Sequence, residues 1–261
     1  MRNLLTSSRR FTIAFWLSLS CTVGVAATVQ AATPETAPPE LNATLSSIEQ
    51  AANNGNLDGI LSYYSPNYRN SDDMGRDRLA EALQRFWDNY DNVNYRTELQ
   101  SWEQQGDRVV AETITYITGT QIRENQQATL EATVRSRQVL QNNQIVDQDI
   151  LSEESRVFWG ENPPEVRVNL PETVRPGQDY YFDAIVTQPL GNDLLLGTAL
   201  EQEVNGDRFF EGNELEFDLL QAGGLFKQGT APDSEEDIWL SAVIVRNDGV
   251  MTVTRRLRVE R

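Results

Sequence analysis

The spacing of apolar residues changes once along this chain, at about residue 90, and that single change sets the order of its elements. Before it, Leu41, Leu45, Ile48 and Ala52 recur at helical spacing and stop at Asn53-Asn54-Gly55; Leu57, Ile60, Leu61 and Tyr64 mark a second helix ended by Ser65-Pro66. After a turn at Asp73 to Gly75, residues 76–89 form a third helix carrying Leu79, Leu83, Phe86 and Trp87. Beyond it, 93–102, 108–120, 128–141 and 145–159 read as four long strands, joined by turns at Gln105-Gly106-Asp107, residues 123–126 and Asn142-Asn143. The expected class is α+β: three helices followed by a curved antiparallel meander.

At 261 residues the chain suits two domains, and Gly160-Glu161-Asn162-Pro163-Pro164 is the best boundary, because two prolines break any sheet register. The remainder of the chain is all-β in signal. Strands are expected at 165–169, 179–187, 194–204, 215–221, 238–246 and 250–259, with an extra one near 225–228 and a hairpin turn at Asn247-Asp248-Gly249. The spacing resembles an immunoglobulin-like β-sandwich over 165–261, in architecture only, since the cysteine pair of true immunoglobulin domains is missing.

Residues 1–31 have the three-part build of an export signal: Arg2, Arg9 and Arg10, an apolar stretch over 11–25, and Val29-Gln30-Ala31 as a cleavage site. Residues 32–40, with Pro34, Pro38 and Pro39, then form a linker. Arg9-Arg10 resembles a twin-arginine signal, although Thr12 stands where an apolar residue is usual, so the general secretory route is equally open. Either route places the protein outside the cytoplasm, in the periplasm or secreted. Cys21 is the sole cysteine and lacks the aliphatic residue a lipoprotein site wants upstream; cleavage after Ala31 removes it, and with it disulfides and thiol chemistry. The net charge is -17, and the signal carries three arginines and no acid, so the processed chain stands at -17 - 3 = -20. Such a surface repels nucleic acid and anionic lipid, and no stable membrane span is expected after cleavage.

The segment from Leu45 to Tyr68, Leu45-Ser46-Ser47-Ile48-Glu49-Gln50-Ala51-Ala52-Asn53-Asn54-Gly55-Asn56-Leu57-Asp58-Gly59-Ile60-Leu61-Ser62-Tyr63-Tyr64-Ser65-Pro66-Asn67-Tyr68, is similar to the two-helix opening of the nuclear transport factor 2-like superfamily. The long sheet after helix three, with Trp102 and Gly106-Asp107-Arg108-Val109-Val110-Ala111, resembles that superfamily too. The resemblance covers 41–159 and implies a cone of helices packed on a curved sheet. Its members include isomerases, dehydratases, oxygenase subunits and non-catalytic binding or assembly domains, so the fold does not choose an activity.

Histidine is absent from the whole chain. That removes the histidine-carboxylate mechanism of the cone dehydratases, histidine-dependent nucleophiles and the commonest zinc ligand. An isomerase needing only a desolvated carboxylate and a tyrosine stays open, with Tyr64, Tyr68, Tyr116, Asp147 and Asp149 as contributors. Aromatic residues gather where the cone would close: Tyr63, Tyr64, Tyr68, Phe86, Trp87, Tyr90 and Trp102. From these readings Tyr64, Tyr68, Trp87, Trp102 and Tyr116 form the candidate ligand-binding set, with no catalytic residue assigned. Glu235-Glu236-Asp237 and Glu153-Glu154 lack the spacing of a calcium loop, and no phosphate loop or dinucleotide fingerprint occurs, so no metal or cofactor is expected. The arginines of the last strand, Arg255, Arg256, Arg258 and Arg261, could pair with acidic neighbours or with the first domain. The preferred function is an exported binding or assembly module for a small hydrophobic ligand or an envelope protein. The alternatives are a histidine-free isomerase or lyase acting on a small hydrophobic molecule, and an envelope scaffold that dimerises through its first sheet.

Overall fold

Pro38 and Pro39 start the first helix, where the missing amide hydrogen of proline costs no bond. In the computed structural model, which describes residues 31–123, 125–191, 193–205, 215–220 and 223–261, this helix is α1 (Pro39–Asn53). It stops at Asn54 and Gly55, the latter at φ +61°, which glycine adopts without strain. The expected export signal, but for Ala31, lies outside the described residues. Helix α2 (Leu57–Leu61) is capped by Asn56, whose Oδ1 accepts the Gly59 amide at 2.9 Å. Helix α3 (Arg76–Asn89) lays Leu79, Leu83, Phe86 and Trp87 against the core without burying any residue completely.

Between α2 and α3 the structure differs from the sequence reading. Tyr64, expected as the end of the second helix, opens a strand, β1 (Tyr64–Asn70). Tyr64 and Tyr68 are four apart, a spacing that shares one face in a helix and in a strand alike, so the pattern could not separate the two. The four long strands follow: β2 (Asp91–Gln105), β3 (Arg108–Arg123), β4 (Gln126–Gln141) and β5 (Gln144–Gly160), each antiparallel to the next. Asn142 and Asn143, at φ +52° and +59°, make the tight β4–β5 turn. Register shifts at Leu99/Ser101, Arg135/Ser136 and Val139/Leu140 bend the strands, so the sheet curls round the helices.

The remaining strands are β6 (Val166–Asn169), β7 (Thr173–Val174), β8 (Asp179–Val186), β9 (Leu196–Glu203), β10 (Asp218–Leu219), β11 (Gly224–Thr230), β12 (Ile238–Arg246) and β13 (Gly249–Val259). A three-stranded sheet, β11-β8-β6, faces β9, β12 and β13 across a core that includes Tyr180, Phe182, Leu240, Ile244, Val253 and Leu257. Of the strand expected at 215–221, residue 221 lies outside the described residues and the rest forms a strand over two residues; β7 had no sequence signal.

The two parts share a sheet. Strand β13 pairs with the second half of β5, from Arg255 opposite Glu154 to Gly249 opposite Gly160, while β1 runs parallel to the first half. The order β10-β9-β12-β13-β5-β4-β3-β2 therefore crosses the segment read as a linker, and residues 31–261 form one compact unit. Two glycines make the crossing feasible. A Cβ on Gly160 (φ +103°) would stand 2.4 Å from the Asp248 carbonyl oxygen, and one on Gly249 would stand 2.5 Å from Pro163 Cα.

Beside this seam lies a buried ion cluster. The Arg256 side chain is 1% exposed and donates two bonds to Asp72, at 2.8 and 2.7 Å. It also reaches Asp237 at 3.1 Å and Glu153 at 3.3 Å, and Glu153 accepts the Trp239 indole N–H at 3.0 Å. Burial works against the guanidinium charge, but Asp72, Glu153 and Asp237 outweigh it and hold its pKa above the ordinary value. The arginines of the last strand thus do pair with acids, those of the first part included: Arg255 with Glu154 and Arg258 with Asp149.

Candidate functional site

Inside the curl of β2–β5, roofed by the helices, is a cavity of about 180 Å³. Its apolar wall comes from Leu45, Ile48 and Ala52 of α1, Ile60 of α2, Leu79 and Leu83 of α3, and Ile117 and Val134 of the sheet. Its other wall is polar: Glu49, Thr97, Thr115, Ser136, Gln138 and Gln148, with Tyr64 and Tyr95 between the two. Strand alternation builds this wall, because Val134, Ser136, Gln138 and Leu140 point one way while Arg135 and Arg137 point outward to Glu112. Burial opposes the charge on Glu112, yet the two arginines hold its pKa below the usual carboxylate range.

Hydroxyls stitch the wall together. Thr97 Oγ1 lies 3.2 Å from Thr115 Oγ1, and Thr113 Oγ1 lies 3.3 Å from Ser136 Oγ. Glu49 is the one carboxylate among the lining residues, and Oε2 accepts the Thr97 amide at 2.6 Å. One turn on, Asn53 Oδ1 accepts the Tyr95 amide at 2.6 Å and its Nδ2 donates to the Tyr95 carbonyl at 2.8 Å. Strand β2 is the end of the sheet, so α1 uses Glu49 and Asn53 to satisfy backbone groups that would otherwise form an open edge.

The family model described as the SnoaL-like domain matches residues 46–148, the stretch that contains every lining residue but Leu45. Residues 46–148 form a SnoaL-like domain. The match lies within the region 41–159 read as nuclear transport factor 2-like. Residues 161–260 match a second model, described as a domain of unknown function (DUF8623). No curated protein matches the chain. Solved structures that resemble it include Bd1075 of Bdellovibrio bacteriovorus, at 12% identity and TM-score 0.31 over 42% of this chain and 40% of that one. An LEH-like epoxide hydrolase of M. tuberculosis aligns at 16% identity and TM-score 0.30, over 42% of this chain and 80% of its own. A Xanthomonas campestris protein named as a candidate polyketide cyclase aligns at 20% identity and TM-score 0.33, over 42% and 88%.

Within the SnoaL-like domain the five residues singled out from the sequence part company. Tyr64 lines the cavity, and burial pushes its pKa up to about 12. Tyr68 stands behind it, ring edge to ring face at 4.8 Å, and its hydroxyl donates to Gln148 Oε1 at 2.8 Å; burial again raises its pKa. Trp87 also acts from behind, its indole N–H donating to the Tyr95 hydroxyl at 3.1 Å. Burial lifts Tyr95 to about 12, with the Trp87 bond pulling the other way. Trp102 is elsewhere: its indole donates to Thr36 Oγ1 at 3.2 Å and it lines a separate hollow beside Ala31. Tyr116 faces the opposite side of the sheet from Thr115 and Ile117, under the Arg96 guanidinium at 4.1 Å. Asp147 and Asp149 line no part of the cavity, and Asp149 pairs with Arg258. Sequence reasoning passed over Glu49, Tyr95, Thr97, Ser136, Gln138 and Gln148. The parity they share with apolar neighbours, as Ser136 and Gln138 do with Val134 and Leu140, was the available signal.

Proposed function

We propose that this protein is a non-catalytic binding module of the cell envelope whose SnoaL-like domain holds a small, mostly apolar molecule in its cavity. The observation that carries this is the cavity's two-sided lining, mostly apolar from the helices and mostly hydrogen-bonding from the sheet, which suits a ligand needing orientation rather than reaction. The lining carries no histidine, lysine or arginine, and its one carboxylate already serves the β2 edge. The second half, in this reading an immunoglobulin-like sandwich, positions the cone through the shared sheet. The extracytoplasmic location rests on the signal-like residues 1–31.

Native mass spectrometry of the protein purified from its host's envelope fraction tests the reading. A small mass that leaves on denaturation is expected, on a chain beginning at Ala32. An empty protein with a co-purified polypeptide, or an empty dimer, would replace the ligand reading with assembly.

One observation favours a second reading, a histidine-free isomerase or lyase: Glu49 shares the cavity with two tyrosines whose hydroxyls stay protonated well past neutrality. Turnover of the released compound that Glu49→Gln abolishes, with binding retained, would establish it.

A further inference from the structure

The polar wall contains a side chain that the fold leaves unsatisfied. Gln138 is 7% exposed and lines the cavity, and its Oε1 has no hydrogen-bond partner among the described residues. Its Nε2 has only a long contact, 3.5 Å to Ser136 Oγ. Ser136 is itself engaged with Thr113. A buried amide with one end unmade is costly, and leucine would fill the same space without that cost. A ligand group that bonds this amide would remove the cost.

The chemistry of that group rests on three facts. The oxygen and nitrogen of an amide can exchange places by a half turn, so Gln138 can offer the cavity an acceptor or a donor. A hydroxyl, which both donates and accepts, satisfies either orientation. Charge excludes an acid, because Glu49 is the one charged lining residue and the chain carries -17 overall, so an anion entering would meet repulsion with no cation to offset it. Size favours one ring: the cavity, partly open to solvent, encloses about 180 Å³, slightly more than the roughly 150 Å³ that holds a benzene ring and less than the roughly 300 Å³ where drug-sized sites begin.

We infer that the cavity selects a neutral hydroxy compound with a single six-membered ring, a phenol or cyclic alcohol, whose hydroxyl bonds Gln138 while the ring lies against the apolar wall. This rests on the reading of the cone as a binding cavity.

The test titrates the full chain with four probes of similar size, p-cresol, p-xylene, benzylamine and benzoate. Calorimetry gives affinity, and the methyl resonances of Leu83 and Ile117 report the place of binding. p-Cresol is expected to bind about five- to tenfold tighter than p-xylene, the worth of one hydrogen bond, with benzoate weakest. In Gln138→Leu the preference for p-cresol over p-xylene should vanish; Gln138→Met serves if that variant does not fold. Equal binding of p-cresol and p-xylene, a preference that survives the substitution, or a lead for benzylamine or benzoate would overturn the inference and leave the cavity reading standing. No probe moving the Leu83 and Ile117 methyls would overturn both.

Discussion

In the C-terminal half, Phe182, Ala184, Leu240, Ala242, Ile244, Val253 and Leu257 are all sealed from solvent, whereas among the described residues of the SnoaL-like domain Ala111, Ala128 and Ile145 are the apolar ones that reach the same state, and α3 buries none. The cause is geometric. Two sheets facing one another interdigitate along their whole length, while short helices across a curled sheet touch it at the rims and leave a gap in the middle. The sealed core is apolar at its inward positions apart from the Tyr180 hydroxyl; the open one has Thr113, Ser136 and Gln138 there. The sealed core and the polar-lined gap thus lie in different halves, and the Arg256 cluster fastens one to the other.

The largest effect should come from cutting that fastening. Arg256→Met leaves Asp72, Glu153 and Asp237 without their cation and should cost about 3–5 kcal/mol, the usual outcome of orphaning buried charge. Urea unfolding followed by tryptophan fluorescence should show one transition for the native chain. Two separate transitions in the native chain would mean the halves are energetically independent despite their shared sheet.

Next come paired truncations. Leu240→Ala, in the sealed core, should cost about 2–5 kcal/mol, and Leu83→Ala, beside an existing cavity, about 1 kcal/mol. Equal losses in thermal unfolding would break the contrast between the two cores.

The alkaline limb probes the cone through Tyr64 and Tyr95, alongside Tyr180 of the C-terminal half, whose pKa burial also raises. Tyr64 and Tyr95 have folded pKa values raised to about 12, above the roughly 10 of an unfolded tyrosine. Their contribution is therefore fully present below about pH 10 and is lost as pH climbs toward 12, by about 2 kcal/mol for each. Urea midpoints across that window should fall in the native chain and fall less in Tyr64→Phe.

The smallest effect is the most diagnostic. Gln138→Leu should leave stability unchanged or raise it by up to about 1 kcal/mol, because it removes an unmade bond from an interior. A clear loss in calorimetric unfolding would mean that Gln138 supports the fold rather than a ligand.

Much of the cone could be read from the chain because its signals are local. The Asn142-Asn143 turn, the stop at Gly55 and the stripe on α3 each involve residues within a few positions of one another. Strand β1 escaped because Tyr64 and Tyr68 fit both periods. The cavity wall escaped for a different reason: aromatic residues drew attention to themselves, while Ser136 and Gln138 sit in a run, Arg135-Ser136-Arg137-Gln138, that is polar on both faces and hides its alternation. Only Tyr64 of the five aromatic candidates lines the cavity, with Tyr68 and Trp87 placed behind it through Gln148 and Tyr95.

The sequence by itself determined the order of the three helices and the four long strands after them, the absence of histidine chemistry and the acidity of the chain, all of which depend on residue identity and near neighbours. Tertiary structure alone decided that β13 would join β5 across Gly160, that Arg256 would meet Asp72, 184 positions away, and that the helices would stop short of filling the curled sheet. Those outcomes depend on the bulges and twist accumulated along whole strands, and such small angles add up to a partner or a gap only once the sheet is assembled.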